Sequence, residues 1–252
     1  GLFVKRCIDI LGSLVGLVFM VIAMIFVAPA IMIESPGPIF FKQKRVGKNG
    51  RYFEIYKFRS MYMDAEERKK ELMAQNEMSG LMFKMKDDPR ITKVGKFIRK
   101  TSIDELPQFI NVLKGDMSLV GPRPERPEIA ELYKKTFPEF DYRLKMKAGL
   151  TGYAQVYGKY NTTPRDKVKL DLTYYEQYSI WLDFKLMLLT VKIMFQKETS
   201  EGIASNMTTA LRDGEKVQIP APVNVKPDGL DEAEDAFYDL KKTVNKNTGK
   251  DS

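Results

Sequence analysis

The feature that most restricts what this chain can fold into is an uncharged run of twenty-four residues, Ile10 to Ile33. As helix it would extend about 36 Å, more than the roughly 30 Å of a bilayer hydrocarbon core, so it reads as a membrane segment. It is not a removable signal peptide, because Ala28-Pro29-Ala30 is followed by more apolar sequence and then by the bulk of the chain. Both flanks are basic: Lys5 and Arg6 precede the run, while Lys42, Lys44, Arg45, Lys48 and Arg51 come after it. Cationic flanks are drawn to the cytoplasmic side, a demand that a straight span cannot meet at both ends. Pro29 has no N–H and can break the helix. A re-entrant helical hairpin dipping into one leaflet fits both observations. The competing arrangement is a tilted span kinked at Pro29.

The remainder of the chain must build its chemistry from few residue types. The 252 residues contain no histidine and one cysteine, Cys7. Imidazole bases, His-activated nucleophiles, disulfide frameworks and Cys-based zinc sites are therefore excluded, and the bulk of the chain is expected in the cytoplasm. Carboxylates, lysines, arginines, hydroxyls or a hard metal ion remain. The net charge of +8 is concentrated between Phe40 and Ile103, where seventeen Lys and Arg face eight Asp and Glu. That stretch should face phosphates, acidic headgroups or nucleic acid, unless it is a solvated surface.

Turn residues mark Glu34 to Pro38 as a loop, with short extended pieces at Ile39–Phe41 and Tyr52–Phe58 around Gly47-Lys-Asn-Gly50. Met61 to Gln75 reads as an exposed helix, and a new element starts at Asp87-Asp-Pro89. Leu106, Phe109, Ile110 and Leu113 have helical spacing over Glu105 to Lys114, stopped by Gly115. The chain should be irregular around Pro122, Pro124 and Pro127. Trp181 to Lys197 is amphipathic, with Leu182, Leu186, Leu189 and Ile193 on one side, and suits a membrane interface or a core equally. Past Thr199 the sequence is a polar tail with one helical stretch at Asp231 to Val244.

Thr101-Ser-Ile-Asp-Glu-Leu-Pro107 carries the candidate chemistry. Asp104 as a cap would leave Pro107 in the first turn of the helix, and Ser102 with Glu105 also has capping-box spacing. Either way two carboxylates sit at a helix N-terminus, where capping and dipole alone can explain them, and where phosphate also binds. Lys57 and Arg59 alternate onto one face of a strand, Arg99 lies just before the pair, and Arg123 sits in the stiff Gly121-Pro-Arg-Pro124 turn. Guanidinium groups on rigid backbone suit phosphate. Each cation taken singly is more often a surface ion-pair residue; their arrangement around the acidic pair is what points to a phosphate site.

Five ordered segments resemble the bacterial sugar transferase family, the monotopic polyprenyl-phosphate phosphoglycosyl transferases of capsule, exopolysaccharide, O-antigen and glycoprotein pathways. They are Phe40-Phe-Lys-Gln-Lys-Arg-Val-Gly47, Ile55-Tyr-Lys-Phe-Arg-Ser-Met61, Thr101 to Gln108, Asn111 to Pro124 and Gly149-Leu-Thr-Gly-Tyr-Ala-Gln-Val156. The resemblance runs from about Lys5 to Lys197. It implies a mainly helical α+β fold with a membrane-inserted re-entrant helix over residues 1–38, a compact cytoplasmic catalytic domain over 39–198 with interfacial amphipathic helices, and a tail over 199–252. The family's re-entrant helix breaks at a Ser-Pro pair, where this chain has Ala28-Pro29. Larger relatives carry spans and a regulatory domain upstream, so the chain is compatible with an excised catalytic domain.

For chemistry, the resemblance implies transfer of a sugar 1-phosphate from a UDP-sugar to polyprenyl (undecaprenyl) phosphate, with release of UMP, at the cytoplasmic face of the bacterial inner membrane. Asp104 falls on the covalent nucleophile and Glu105 on a ligand of Mg²⁺; Arg99 and Arg123 fall on basic positions of the phosphate site and Lys57 on a lysine beside the pair, and these with Arg59, read from strand alternation alone, are the candidates to hold substrate phosphate. The implied partners are donor, acceptor lipid and bilayer, with no nucleic acid, and a homo-oligomer is compatible with the sequence. Oxygen ligands alone also favour Mg²⁺ over zinc. The main alternative is a membrane-anchored basic scaffold for anionic lipid or nucleic acid, which explains the apolar run and the basic stretch but not the acidic pair. A nucleotidyltransferase or a polytopic transferase is a third reading, and one hydrophobic segment opposes the latter.

Overall fold

The computed structural model of the chain describes residues 1–72, 88–158 and 162–195. The expected helical residues 73–75, the start at Asp87, the end at Lys197 and the tail, including Asp231 to Val244, lie outside the described residues. The apolar run becomes helix α1, Leu2–Glu34, long and apolar enough to cross a membrane by length and composition. Pro29 does not end it. The N–H that proline lacks would have met the carbonyl of Ile25 one turn back, and Val27 and Ile31, on either side of Pro29, are buried against the rest of the chain. The helix stops instead at Ser35, whose N–H bonds to the Ile31 carbonyl at 2.9 Å, just before Pro36 and Pro38.

One face of α1 is buried along nearly its whole length: Lys5, Asp9, Ser13, Gly16, Met20, Val27 and Ile31. These are separated by three, four or seven residues, which keeps them on one stripe. A Cβ on Gly12 would stand 2.6 Å from the Leu119 side chain, and one on Gly16 would stand 2.5 Å from the Phe109 ring, so both glycines let α1 come close. The opposite face, with Leu11, Val15, Val18, Phe19, Ile25 and Phe26, is exposed.

After α1 the chain forms β1 (Phe40–Val46) and β2 (Tyr52–Phe58), paired antiparallel from Phe40 opposite Phe58 to Val46 opposite Tyr52. Strand β1 is longer than Ile39–Phe41 because backbone pairing carries it through Lys42 to Arg45, whose charges hide the strand in the sequence. Helix α2 spans Ala65–Leu72, α3 spans Lys93–Lys100, and α4 spans Gln108–Lys114 with Gly115 in the left-handed region at its end. A second sheet pairs β3 (Met117–Val120) and β4 (Ala148–Thr151) in parallel. Between them lie α5 (Pro127–Thr136), with its proline at the first helical position, and a 3-10 stretch, Pro138–Lys145. Helices α6 (Tyr153–Tyr157), α7 (Pro164–Glu176) and α8 (Ile180–Phe195) complete the described chain.

Both ends of α1 are fastened to this body. The Glu34 carboxylate accepts the N–H groups of Lys93 (2.6 Å) and Val94 (2.8 Å) and so caps α3 together with Thr92. At the other end Arg6 donates to the carbonyls of Val112 (2.7 Å) and Leu113 (2.8 Å). Lys5 lies buried against β3, α7 and α8. Helix α8 is not one-sided as its spacing suggests: Leu186 is fully buried and Leu182 packs beside it, while Trp181, Phe184, Leu188 and Val191 are exposed on the other side.

Candidate active site

The acidic pair sits where β2, the turn after α3 and the loop after β3 converge. Ser102 takes a left-handed conformation (φ 55°), which reverses the chain at the end of α3 and starts a 3-10 turn, Ile103–Glu105. Asp104 and Glu105 thus precede α4 instead of capping it. The N-cap of α4 is Pro107, with no side-chain cap, and neither Ser102 nor Asp104 caps through its side chain. The capping expectation fails because the tight turn and Pro107 interpose a separate segment before α4 begins. What holds the pair is charge.

Lys57 Nζ, from β2, reaches Glu105 Oε1 at 2.7 Å. Arg123 Nη2 reaches the same oxygen at 2.9 Å. Burial alone would raise the Glu105 carboxyl, but Arg123 and Lys57 outweigh it and hold the group well below the usual carboxylate range. Burial lowers the Lys57 ammonium against the pull of Glu105. The charge of Glu105 raises Arg123 further. Asp104 behaves differently. It is buried, its carboxylate accepts no hydrogen bond among the described residues, and burial raises it above an ordinary aspartate, Glu105 adding to the effect and Lys57, Arg99 and Arg123 opposing it.

Arg123 is carried on a stretch with little freedom. Gly121 and Gly149 bring β3 and β4 so close that a Cβ on Gly149 would lie 2.1 Å from the Gly121 nitrogen. Beyond β3, four successive carbonyls each accept a hydrogen bond: Pro122 from Gly149 N (2.9 Å), Arg123 from Arg143 Nη2 (2.9 Å), Pro124 from Arg45 Nη1 (3.0 Å) and Glu125 from Val46 N (2.9 Å). The prolines remove N–H groups that would otherwise compete for water.

Of the residues named from sequence, Asp104, Glu105, Lys57 and Arg123 come together. Arg99 is exposed at the end of α3, close enough for its charge to act on Asp104 but without a side-chain hydrogen bond among the described residues. Arg59 does not join them. Its guanidinium is buried and donates to the carbonyls of Ser35 and Pro36, fixing the chain that leaves α1. Alternation with Lys57 fails as a guide because β2 ends at Phe58. Sequence reasoning missed Arg45 as part of the site, treating it as a membrane flank. Burial and the charge of Arg123 push it down to about 10. Arg143, far away in sequence, gave no signal at all.

A family model described as bacterial sugar transferase matches residues 1–197. The chain belongs to the bacterial sugar transferase family. A galactosyl transferase, CpsE, of Streptococcus agalactiae is 55% identical over 194 residues, 77% of this chain and 42% of the relative. The UDP-N-acetylgalactosamine-undecaprenyl-phosphate N-acetylgalactosaminephosphotransferase of Aeromonas hydrophila is 42% identical over 193 residues, 75% of this chain and 43% of the relative. The exopolysaccharide production protein PSS of Rhizobium leguminosarum bv. phaseoli is 39% identical over 198 residues, 75% of this chain and 94% of the relative. This bacterial sugar transferase therefore spans less than half the length of the first two relatives and almost all of the third. Every residue of the acidic and basic cluster lies inside the matched region.

Proposed function

We propose that this bacterial sugar transferase moves a sugar 1-phosphate from a UDP-sugar to polyprenyl (undecaprenyl) phosphate and releases UMP. The observation that carries the reading is the asymmetry of the acidic pair: Glu105 is locked by two cations, while Asp104 is buried, unbonded and next to the same positive field. A carboxylate without hydrogen bonds keeps its lone pairs for attack. Asp104 attacks the sugar-bearing phosphorus, and the bond to UMP breaks with its electrons leaving on UMP. A polyprenyl phosphate oxygen then attacks the same phosphorus and frees Asp104 as carboxylate. Arg123, Lys57 and Arg99 bind the phosphoryl oxygens in turn for donor and acceptor, so the two anionic substrates need not share the site.

The donor set also fits Mg²⁺. Both cations bond Glu105 through Oε1, which leaves Oε2 for a metal, and no cluster of three or more metal-binding side chains exists among the described residues. One or two carboxylates plus substrate phosphates is the usual Mg²⁺ environment. Mg²⁺ held by Glu105 and the donor diphosphate would neutralise phosphoryl charge. Glu105→Gln should weaken the Mg²⁺ dependence of turnover; an unchanged metal titration curve rules out this ligand role.

For topology we propose that residues 1–38 lie in one leaflet and the catalytic domain, 39–198, sits at the cytoplasmic face of the bacterial inner membrane. The support is that both ends of α1 dock on one body, while the outer faces of α1 and α8 present apolar side chains. A membrane-crossing α1 would separate those ends. Cysteine labelling of sealed vesicles at positions 1 and 41 tests it, and labelling from opposite sides rejects it. For the chemistry, labelled UDP-sugar is incubated without acceptor and the intact protein is weighed. A phosphosugar adduct on Asp104 and parallel double-reciprocal lines are expected. Intersecting lines without an adduct mean direct transfer.

A further inference from the structure

The loop that presents Arg123 is held from behind by a buried charge cluster that the reaction does not use directly. Arg143, in the 3-10 stretch before β4, is 6% exposed. Its Nη2 donates to the Arg123 carbonyl at 2.9 Å and lies 2.7 Å from Asp171 Oδ2 of α7, while its Nη1 lies 3.8 Å from Glu125. Burying a guanidinium and a carboxylate so fully is expensive, and hydrophobic residues of similar size often serve a core as well or better. Stability alone is therefore a weak reason for the pair. What a hydrophobic residue could not supply is a donor to the main chain of Arg123. Among the four carbonyls held in this loop, those of Pro122 and Glu125 are taken by backbone N–H groups, and that of Pro124 by Arg45. The carbonyl of Arg123 itself depends on Arg143.

We propose that Arg143, oriented by Asp171, is a positioning residue that sets the main chain of Arg123 so that its guanidinium meets Glu105 and the substrate phosphate. The inference rests on the phosphoryl-transfer reading for its kinetic consequences, but not for its geometry. Asp171 aims the guanidinium, and Lys167 and Glu125 are the other charges that act on Asp171. Without Arg143 the loop keeps its other three bonds and its fold, and Arg123 loses its register against Glu105. A displacement of about 1 Å in a positioned group is enough to lower a rate by about a hundredfold.

The test has a readout that does not need turnover. Arg123 bonds Glu105 through its guanidinium, so its own side-chain signal reports where it is. Arginine side-chain ¹⁵N signals of the detergent-solubilised full chain are recorded at one pH, with Arg123 assigned by its loss in Arg123→Gln and its position without the partner taken from Glu105→Gln. In Arg143→Gln, the Arg123 signal should move towards its position in Glu105→Gln. Because Arg143→Gln leaves Asp171 buried and unpaired, the double variant Arg143→Gln with Asp171→Asn, which removes both charges, is measured in parallel. In turnover, Arg143→Gln should lower kcat by about tenfold or more. In an Arg123→Gln background it should add no more than about twofold, because residues acting through one another do not add. An Arg123 signal unchanged in both Arg143 variants, or a full additional loss on top of Arg123→Gln, overturns the positioning role and leaves Arg143 a structural residue. If the wild-type chain transfers nothing from any UDP-sugar, the reading of the reaction fails, and the Arg123 signal still decides the role of Arg143.

Discussion

Two buried clusters of charge lie in this molecule, and they are built on opposite rules. Where α1 meets α7 and α8, every buried charge among the described residues has a partner. Lys5 Nζ donates to the Val120 carbonyl (3.0 Å), to Tyr174 (3.3 Å) and to Asp183 (2.6 Å), and the Tyr174 hydroxyl donates to the other Asp183 oxygen at 2.6 Å. Nearby, Asp9 accepts Ser118 Oγ and Leu119 N, both at 2.9 Å. In the cluster at the end of β2, Glu105 is held through one oxygen by two cations, but Asp104, more deeply buried, accepts nothing among the described residues. A buried acid with all its bonds made locks elements together. A buried acid left without them keeps its lone pairs for a substrate.

Exchanging one carboxylate for an amide in each cluster breaks this comparison most directly, and the largest effect is expected at Asp104. Asp104→Asn should lower transfer by about three orders of magnitude or more, in the range seen when nucleophiles are removed. Its melting temperature should be equal to or above that of the wild type, since the amide removes a charge that burial disfavours. Wild-type turnover in Asp104→Asn would refute the nucleophile. Next in size is Lys5→Met, which leaves buried Asp183 without its cation and should lower stability by about 3–5 kcal/mol, read as thermal unfolding in detergent. The assignment of that cluster as structural fails if Lys5→Met unfolds like the wild type.

Acid sharpens the same contrast within the candidate active site. A carboxyl raised in the folded state binds its proton more tightly there, so Asp104 favours folding as pH falls through its folded value. A depressed one acts oppositely: Glu105 contributes stability above the ordinary glutamate value of 4.5, and that contribution is lost as pH falls through the folded value. In the proposed reaction, attack needs ionised Asp104. The acid limb of kcat for the first half-reaction should therefore lie above the ordinary aspartate value of 3.8, with Glu105 still charged. Lys57→Met removes the cation that most opposes the rise and should move that limb higher. A limb at or below 3.8, or one that Lys57→Met moves downward, contradicts the environment assigned to Asp104.

Much of this contrast could be read from the sequence because it is local. The uncharged run gives α1, Gly115 ends α4, and the ordered motifs place Asp104, Glu105, Lys57 and Arg123 together through family resemblance. What escaped depends on contacts across the chain. Strands β3 and β4 are only four residues each and pair across some thirty residues, so no periodicity marks them. Arg59 and Arg45 look alike in sequence, yet one turns to the carbonyls after α1 and the other to the loop behind Arg123. The capping motif misled because Asp, Glu and Ser are favoured before any helix, and only the backbone distinguishes a cap from a 3-10 turn. Pro29 misled because packing on both sides keeps α1 helical through it.

The smallest predicted effect is at Ser102, where the chain turns into the acidic pair with φ at 55°. A left-handed backbone costs a non-glycine residue about 1–2 kcal/mol, and glycine avoids that cost while adding about 0.5–1 kcal/mol of unfolded-state entropy. Ser102→Gly should therefore stabilise the protein by about 0.5 kcal/mol, seen as a small rise in melting temperature. Asn49, in the turn between β1 and β2, has nearly the same backbone (φ 56°) and supplies the control. Asn49→Gly should give a similar small change in stability and leave kcat alone. Ser102→Gly should lower kcat by about twofold to fivefold, because in the proposed reaction the freer turn no longer holds Asp104 against the phosphorus. Equal kinetics in the two variants would mean that the left-handed turn at Ser102 serves the fold alone, and that Glu105, through Lys57 and Arg123, fixes the acidic pair by itself.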